Sequence, residues 1–284
     1  MLLISIKQSS LEPKPTDENV ALDKIELCVA QVSSWMAENF LKLNNSKTEF
    51  IILGSRQQLE KVSVNELQIG DIKVTSVDSV RNIGGWFDST LKMDQQVNQT
   101  CKSAWNHLRN IGKIRHVLSV KETEQLIHSL VTNKIDHHNS LLFGINKTLI
   151  DRLQRVLNAA AKLVTLRRKS DHVTPILKTL HWLPVEKRII YKMALLVYKS
   201  LHNLGPVYLK ELLNWYTPSR SLRSASSEQL EVPRASLVYG TRCFAHAGPT
   251  TWNSLPLDVR QSDTVDNFKS KLKTHLFRLA YGMD

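Results

Sequence analysis

The sequence is poor in cysteine and has no long apolar run. Cys28, Cys101 and Cys243 are odd in number, far apart and not arranged as CxxC. This pattern argues against a disulfide framework or a zinc knuckle and favours a reducing compartment. No run approaches the roughly 18 apolar residues of a membrane span, and the stretch before Lys7 is too short for a secretory core. We therefore expect an intracellular chain, nuclear or cytoplasmic, that is not secreted.

Patterns that carry catalysis or hold a metal are also scarce. The sequence shows no Gly-rich phosphate-binding loop, no Ser/His/Asp pattern of a hydrolase and no sequence typical of a catalytic cysteine. It also contains no Asp-Asp dipeptide. The one adjacent acidic pair, Asp17-Glu18, fits a helix N-terminus, where negative charge is favourable. His137-His138, with His172 and His181, lacks the Cys/His spacing of a zinc site. We predict no metal site, no cofactor and no small-molecule partner.

The basic charge is concentrated in the later part of the chain. The 284 residues carry a net charge of +12, with 42% apolar residues for a substantial core. Residues 1–100 hold 10 Lys and Arg against 13 Asp and Glu, whereas residues 101–284 hold 28 against 13. Such an asymmetry indicates a polyanionic partner for the later part. Nucleic acid is the first candidate and an anionic membrane surface the second.

Apolar spacing predicts an α+β chain that becomes mainly helical near residue 93. A helix from Asp17 to about Asn39 is followed by short β-rich runs, of which Val80–Phe87 contains a glycine pair. The other predicted strands are Leu2–Ile6, Phe50–Leu53, Val62–Val64, Leu67–Ile69 and Ile72–Val74. The later predicted helices include Lys121–Lys134, Leu149–Val164, Glu186–His202 and Val265–Tyr281.

Four stretches, in order along the chain, resemble one family. They are WMAENFLKLNNSKTEFIILG from Trp35, SVRNIGGWFDSTLKMDQQV from Ser79, NSLLFG from Asn139 with the following LQRVLNAAAKLV and LHWLPVEKRIIYK, and SLRSASSEQLEVPRASLVYGTRCFAHAGPTTWNSLP with FKSKLKTHLF. Together they resemble the C-terminal part of the reverse transcriptases of jockey-like non-LTR retrotransposons. The resemblance implies a partial polymerase palm over 1–93, a helical thumb-like region over 94–170 and a helical C-terminal region over 171–284.

The family's enzymes are RNA-directed DNA polymerases, that is, nucleotidyltransferases. Their chemistry uses paired aspartates that hold two Mg²⁺ ions over the attacking and leaving oxygens. In the family these aspartates stand on a Tyr-x-Asp-Asp turn just before the strand that MLLISIK resembles, and the sequence begins after that turn. The fingers and the first catalytic aspartate are missing as well. We therefore expect a truncated and inactive polymerase with no cofactor of its own.

Two palm features have counterparts in the sequence. Lys47 matches a lysine that the family places near the phosphates of the incoming nucleotide, and without metal ions this role would be vestigial. The alternative is a solvated turn lysine within pairing distance of Glu49 in the sequence. Ile83, Gly84 and Gly85 resemble the hairpin that grips the primer end, although the family usually has Leu-Gly-Val there. An ordinary bulge beside Trp86 is the alternative.

Basic residues of the thumb-like region are candidates for following the backbone of a template–primer duplex. The alternative is a solvated helix face. Trp182 and Trp252 are interpreted as buried anchors, with base stacking as the alternative. The basic candidates are Arg109, Lys113, Arg115, Arg152, Arg155, Lys162, Arg167, Arg168 and Lys169.

Three functional hypotheses follow. The first is a truncated reverse transcriptase with residual template–primer binding, or an incomplete gene model of an active enzyme. The second is a non-catalytic remnant recruited to bind nucleic acid or protein. The third is an unselected relic whose palm piece does not fold stably, because uncovered sheet edges invite aggregation.

Overall fold

A computed structural model describes residues 15–44, 47–70, 72–217, 228–235 and 238–282. The chain divides into two compact units, Met1–Gln96 and Val97–Asp284. The predicted α+β class is confirmed: the described residues are mostly helical, with two small antiparallel sheets. Residues on both sides of position 170 belong to the second unit. The predicted strand Leu2–Ile6 lies outside the described residues.

The N-terminal unit packs one long helix against short strands. Ile25 and Val29 of the helix form a buried cluster with Phe50, Leu67 and Ile69. The strands make two separate antiparallel pairs, β1 with β2 and β3 with β4. The elements of this unit are α1 (Pro15–Glu38), α2 (Arg56–Leu59), β1 (Glu66–Ile69), β2 (Ile72–Thr75), β3 (Ser79–Asn82) and β4 (Gly85–Asp88).

Three of the predicted strands differ from the structure. Phe50–Leu53 contributes a single parallel bridge, from Phe50 to Ser76, and Val62–Val64 is not a strand. Val80–Phe87 is a hairpin rather than one strand. Asn82 pairs with Gly85, so Ile83 and Gly84 form a two-residue turn. The reason lies in the backbone, because both turn residues have positive φ, 47° for Ile83 and 82° for Gly84, as the tight turns of hairpins require.

The backbone of Ile83 predicts a stabilising substitution. A β-branched residue at positive φ is strained by about 1 kcal/mol or more, whereas Asn tolerates this region and favours an Asn-Gly hairpin turn. We expect Ile83→Asn to slow amide hydrogen exchange of β3 and β4 about fivefold. Val77→Asn is the matched control, because Val77 is also exposed but is not among the residues with positive φ. Equal or faster exchange in Ile83→Asn would contradict the strain.

The C-terminal unit is built around one buried helix, α8. This helix packs against α11, α13 and α6, so it forms the centre of the unit. A π-helical turn, His128–Thr132, separates α4 from α5, and 3₁₀ turns occupy Arg115–Val117 and Asn139–Leu142. The helices are α3 (Asp94–Ile114, beginning at the end of the first unit), α4 (Val120–Ile127), α5 (Asn133–Asp136), α6 (Lys147–Val164), α7 (Val173–Thr179), α8 (Val185–Leu201), α9 (Val207–Lys210), α10 (Val238–Arg242), α11 (Phe244–Asn253), α12 (Leu257–Arg260) and α13 (Val265–Tyr281).

Aromatic side chains form the centre of this core. The ring of Phe268 stacks on Tyr198 at 4.2 Å and lies 6.1 Å from Trp252, between ring centroids. Polar groups of the same residues are satisfied: the hydroxyl of Tyr198 donates to the carbonyl of Ser262 at 2.8 Å, and Nε1 of Trp252 donates to the carbonyl of Glu228 at 3.0 Å. Trp252 and Trp182 are both buried, which confirms their interpretation as anchors.

Candidate nucleic-acid interface

Helices α3 and α6 approach each other at their C-terminal ends and run in the same direction. Near their N-terminal ends, the charges of Arg152 and Arg155 act on the thiol of Cys101. Near their C-terminal ends, a methyl group at Gly112 would lie 4.0 Å from the Cδ1 atom of Leu163. Corresponding ends therefore meet, and the two helices are parallel.

The cations of the two helices lie on the same side of the pair. Counting about 100° per residue, Cys101 and Gly112 mark the line on α3 that faces α6. Arg109 lies about 80° to one side of that line, and the buried residues of α3 lie on the other. On α6, Arg152 lies on the line that faces α3, and Arg155 lies about 60° from that line. The sense of this rotation is opposite to that of Arg109 on α3. Because the two helices run in parallel and face each other, opposite senses of rotation lead to the same side of the pair. The cations of this side are Lys102, Arg109 and Lys113 of α3 and Arg155 and Lys162 of α6, with Arg152 on the facing line.

An exposed tryptophan stands among these cations and was not predicted from the sequence. Trp105 is 43% exposed, and it lies one helical turn from both Lys102 and Arg109. An aromatic ring between cations is the arrangement that stacks on nucleic-acid bases. The signal in the sequence was the spacing Lys102, Trp105, Arg109. This spacing places the three residues near one another on the helix, but only the buried stripe of α3 shows that they lie on an exposed face.

Arg115 does not belong to this surface. Its guanidinium is buried and donates to three carbonyls: Leu163 at 3.0 Å, Val164 at 2.9 Å and Leu118 at 2.7 Å. The bonds to Leu163 and Val164 satisfy carbonyls at the C-terminal end of α6, which have no partners within the helix. Arg115 was predicted to contact a duplex backbone. Its guanidinium is already bonded to these carbonyls, so its role in the structure is to stabilise the fold.

The basic run after α6 folds back towards that helix. Nζ of Lys162 donates to the carbonyl of Lys169, and the backbone N–H of Arg168 donates to the carboxylate of Asp171 at 3.0 Å. The side chains of Arg167, Arg168 and Lys169 are all exposed. The run therefore extends the basic side of the helix pair at its C-terminal end.

The electrostatics of this region are strongly one-sided. Residues 97–170 hold 13 Lys and Arg against 4 Asp and Glu. Burial raises the pKa of the Cys101 thiol, and the opposing effect of Arg152 and Arg155 is smaller. This thiol is therefore an uncharged core group and not a nucleophile at neutral pH.

The palm-like candidates lie in the N-terminal unit. Lys47 is exposed, and it makes no ion pair with Glu49 in the part of the chain that the structure describes. Ile83 and Gly84 form the exposed tip of the β3–β4 hairpin, whereas Gly85 is buried in β4. The turn is held by Trp86, whose backbone N–H donates to Oε1 of Gln96 at 2.9 Å.

Asp88 is a further residue that the sequence did not single out. Its carboxylate accepts hydrogen bonds from the backbone N–H groups of Lys92 and Met93, at 2.8 and 2.7 Å, and from the hydroxyl of Thr90 at 2.9 Å. A carboxylate with three donors serves the loop between β4 and α3. The carboxylate is thus bonded within its own loop.

Among the described residues, no group of three or more His, Cys, Asp or Glu side chains could hold a metal ion. Nor does any helix in the described ranges have the length and apolar character needed to cross a membrane. The arrangement can attract and hold a polyanion through cations and one aromatic ring. No family model, curated protein or solved structure matches this chain.

Proposed function

We propose that the chain derives from a non-LTR retrotransposon reverse transcriptase and that it binds a template–primer backbone without catalysing polymerisation. The observation that carries the binding part is the common side of α3 and α6, where the cations and Trp105 stand opposite the buried core. The origin rests on the order of the four stretches that resemble the family. The two parts are independent and are tested separately.

The helix pair has suitable dimensions for a nucleic-acid backbone. Arg152 and Lys162 are ten residues apart and thus about 15 Å apart along the helix, which corresponds to about four base pairs of a duplex at 3.4 Å each. Cations along such a length neutralise phosphates on one strand and release condensed counterions. Contacts of this kind are independent of sequence, because phosphates are the same at every position.

Binding is expected to depend steeply on salt. If about five phosphates are neutralised, the logarithm of the association constant falls by about 4.5 per tenfold increase in salt, or about 500-fold between 50 and 200 mM. The measurement is the fluorescence anisotropy of a labelled RNA–DNA hybrid of about 20 base pairs with the full chain. No binding at 50 mM salt would contradict the proposal.

Charge reversal tests where the nucleic acid lies. The triple variant Arg109→Glu, Lys113→Glu, Arg155→Glu removes exposed cations from the proposed side, and each lost contact lowers the salt slope by about 0.9. We expect at least 100-fold weaker binding at 50 mM salt. The matched control, Lys121→Glu, Lys134→Glu, Lys178→Glu, changes the net charge equally at exposed positions elsewhere in the unit. Equal weakening by both triples would show a non-specific charge effect.

Trp105 distinguishes a single strand from a duplex. Stacking on a base contributes about 1–3 kcal/mol when the base is free to leave its neighbours. Trp105→Ala is therefore expected to weaken binding to a single strand about tenfold and binding to a closed duplex much less. Trp215→Ala, which also removes an exposed tryptophan, is the control.

The proposed origin has its own tests. The genomic DNA upstream of the codon for Met1 is expected to encode a Tyr-x-Asp-Asp turn. The chain itself is expected to give no primer extension, because it has no Asp-Asp pair to hold two metal ions. A Mg²⁺-dependent extension product from the purified chain would overturn the non-catalytic part of the proposal.

A further inference from the structure

A cavity of about 480 Å³ lies within the C-terminal unit, away from the basic side of α3 and α6. Its walls come from α4 and the π-helical turn, from the segment before α8, from α8 itself and from α13. Two of the stretches singled out in the sequence meet here: Asn139 begins the NSLLFG stretch, and Trp182 and Arg188 belong to LHWLPVEKRIIYK. The volume is in the range of small-molecule sites.

Several polar groups of this cavity bond to one another. Arg188 donates from Nη1 to Oδ2 of Asp136 and from Nε to the carbonyl of Leu183, both at 2.8 Å. Glu124 accepts a hydrogen bond from Nε1 of Trp182 at 3.2 Å and lies 3.5 Å from Nε2 of His128. Asp136 thus compensates the charge of Arg188, and these bonds hold the groups in fixed positions.

Two further cations of the cavity are uncompensated. Lys192 and Lys273 line it from α8 and α13, and both are exposed. Neither has a hydrogen-bond or ion-pair partner within the described ranges. Two ammonium groups at the rim of a concave site provide an attachment point for an anion such as a phosphate or carboxylate.

The remaining wall is apolar and aromatic, with one unsatisfied acceptor. Tyr191, Leu195 and Trp182 provide the apolar part. Asn139 is 4% exposed, and its Nδ2 donates to Asp136 at 3.3 Å, but its Oδ1 is buried without a hydrogen-bond partner. An unsatisfied buried acceptor is costly unless a donor reaches it. Because this oxygen is buried, the amide of Asn139 has to turn into the cavity before a ligand N–H group can supply that donor.

The helix that bounds the cavity is irregular at this place. The π-helical turn His128–Thr132 interrupts the helix between Glu124 and Asp136, both of which line the cavity. Such turns occur frequently at functional sites. The turn alters the angular spacing of the side chains on either side of it, so it determines which of them face the cavity.

We propose that this cavity binds a small organic anion with a flat, hydrogen-bonding ring, of the chemical class of a nucleoside monophosphate. The anionic group lies at Lys192 and Lys273, the ring packs against Tyr191 and Leu195, and a ring amino group donates to Oδ1 of Asn139. The site shares no residue with the basic side of α3 and α6, so it does not depend on nucleic-acid binding there.

The test is calorimetric titration of the full chain with adenosine monophosphate, with adenosine and inorganic phosphate as separate arms. We expect the nucleotide to bind at least tenfold more tightly than either part, because the two parts of the site act together. Lys192→Ala with Lys273→Ala is expected to weaken nucleotide binding at least tenfold. The control pair, Lys121→Ala with Lys178→Ala, removes two exposed lysines that do not line the cavity and should leave the affinity unchanged.

A second variant fills the space without changing the charge. Leu195→Trp is expected to abolish nucleotide binding while the circular dichroism spectrum of the helices is retained. No heat of binding up to millimolar nucleotide, or unchanged affinity in both variants, overturns the proposal. Phosphate that binds as tightly as the nucleotide overturns the role of the ring. Loss of nucleotide binding in the Arg109→Glu, Lys113→Glu, Arg155→Glu variant would instead place the nucleotide on the helix pair.

Discussion

Replacement of Phe268 by alanine is expected to lower the free energy of unfolding of the C-terminal unit by about 4 kcal/mol. The side chain is fully buried, between Tyr198 and Trp252, and it joins α13 to α8 and α11. Its removal loses the transfer free energy of a phenyl ring and leaves a cavity that the two rigid aromatic neighbours cannot fill. The measurement is urea unfolding monitored by tryptophan fluorescence. We expect a lower midpoint urea concentration and an unchanged dependence of the free energy of unfolding on urea concentration.

The control for Phe268→Ala is on the same helix. Leu279 is 57% exposed, so Leu279→Ala is expected to change the free energy of unfolding by no more than about 0.5 kcal/mol. Comparable losses in the two variants would contradict the dominant role of the buried face, because alanine itself has the highest helix propensity. Phe268→Leu should recover more than half of the loss, because it restores most of the volume.

Arg115→Ala is expected to destabilise the same unit by about 3 kcal/mol. The substitution leaves the carbonyls of Leu118, Leu163 and Val164 without their donor. Arg115→Lys should be intermediate, because an ammonium group cannot reproduce the fork of a guanidinium. Arg109→Ala, at an exposed position of α3, should stay within about 0.5 kcal/mol of the parent.

The effects of substituting Arg109 and Arg115 on nucleic-acid binding are expected in the opposite order to their effects on stability. Under conditions where both variants are folded, Arg109→Ala is expected to lower the salt slope by about 0.9, and Arg115→Ala to leave it unchanged. The comparison requires only the anisotropy titration at several salt concentrations. A lower slope for Arg115→Ala would show that the guanidinium leaves its carbonyls to meet a phosphate.

The long helices could be predicted from the sequence because their apolar spacing matches a buried face. Leu149–Val164 was predicted and α6 spans Lys147–Val164, and Val265–Tyr281 is α13 as predicted. The hydrophobic period of about 3.6 residues determines both the helix and the side it buries. The burial of Trp182 and Trp252 could also be predicted, from the size of the side chain and from its position shortly before a proline.

The remaining features depend on contacts that have no local signature. The positive φ of Ile83 makes a hairpin where the β-rich run Val80–Phe87 was predicted to be one strand, although isoleucine disfavours that conformation. Arg115 was predicted to be a surface cation, and its role depends on carbonyls nearly 50 residues later in the chain. The cavity likewise joins Asp136 and Arg188, 52 residues apart, and its π-helical turn lies inside the predicted helix Lys121–Lys134.

The parallel arrangement of α3 and α6 has an electrostatic consequence. The C-terminal ends of two aligned helices each carry about half a negative charge, and here both ends lie beside Arg115. One arginine thus acts as a permanent counterion to two helix dipoles of the same sign. Because it is buried, dissolved ions screen it little. Ionic strength should therefore control whether a polyanion is bound, while the pair of helices that binds it stays assembled.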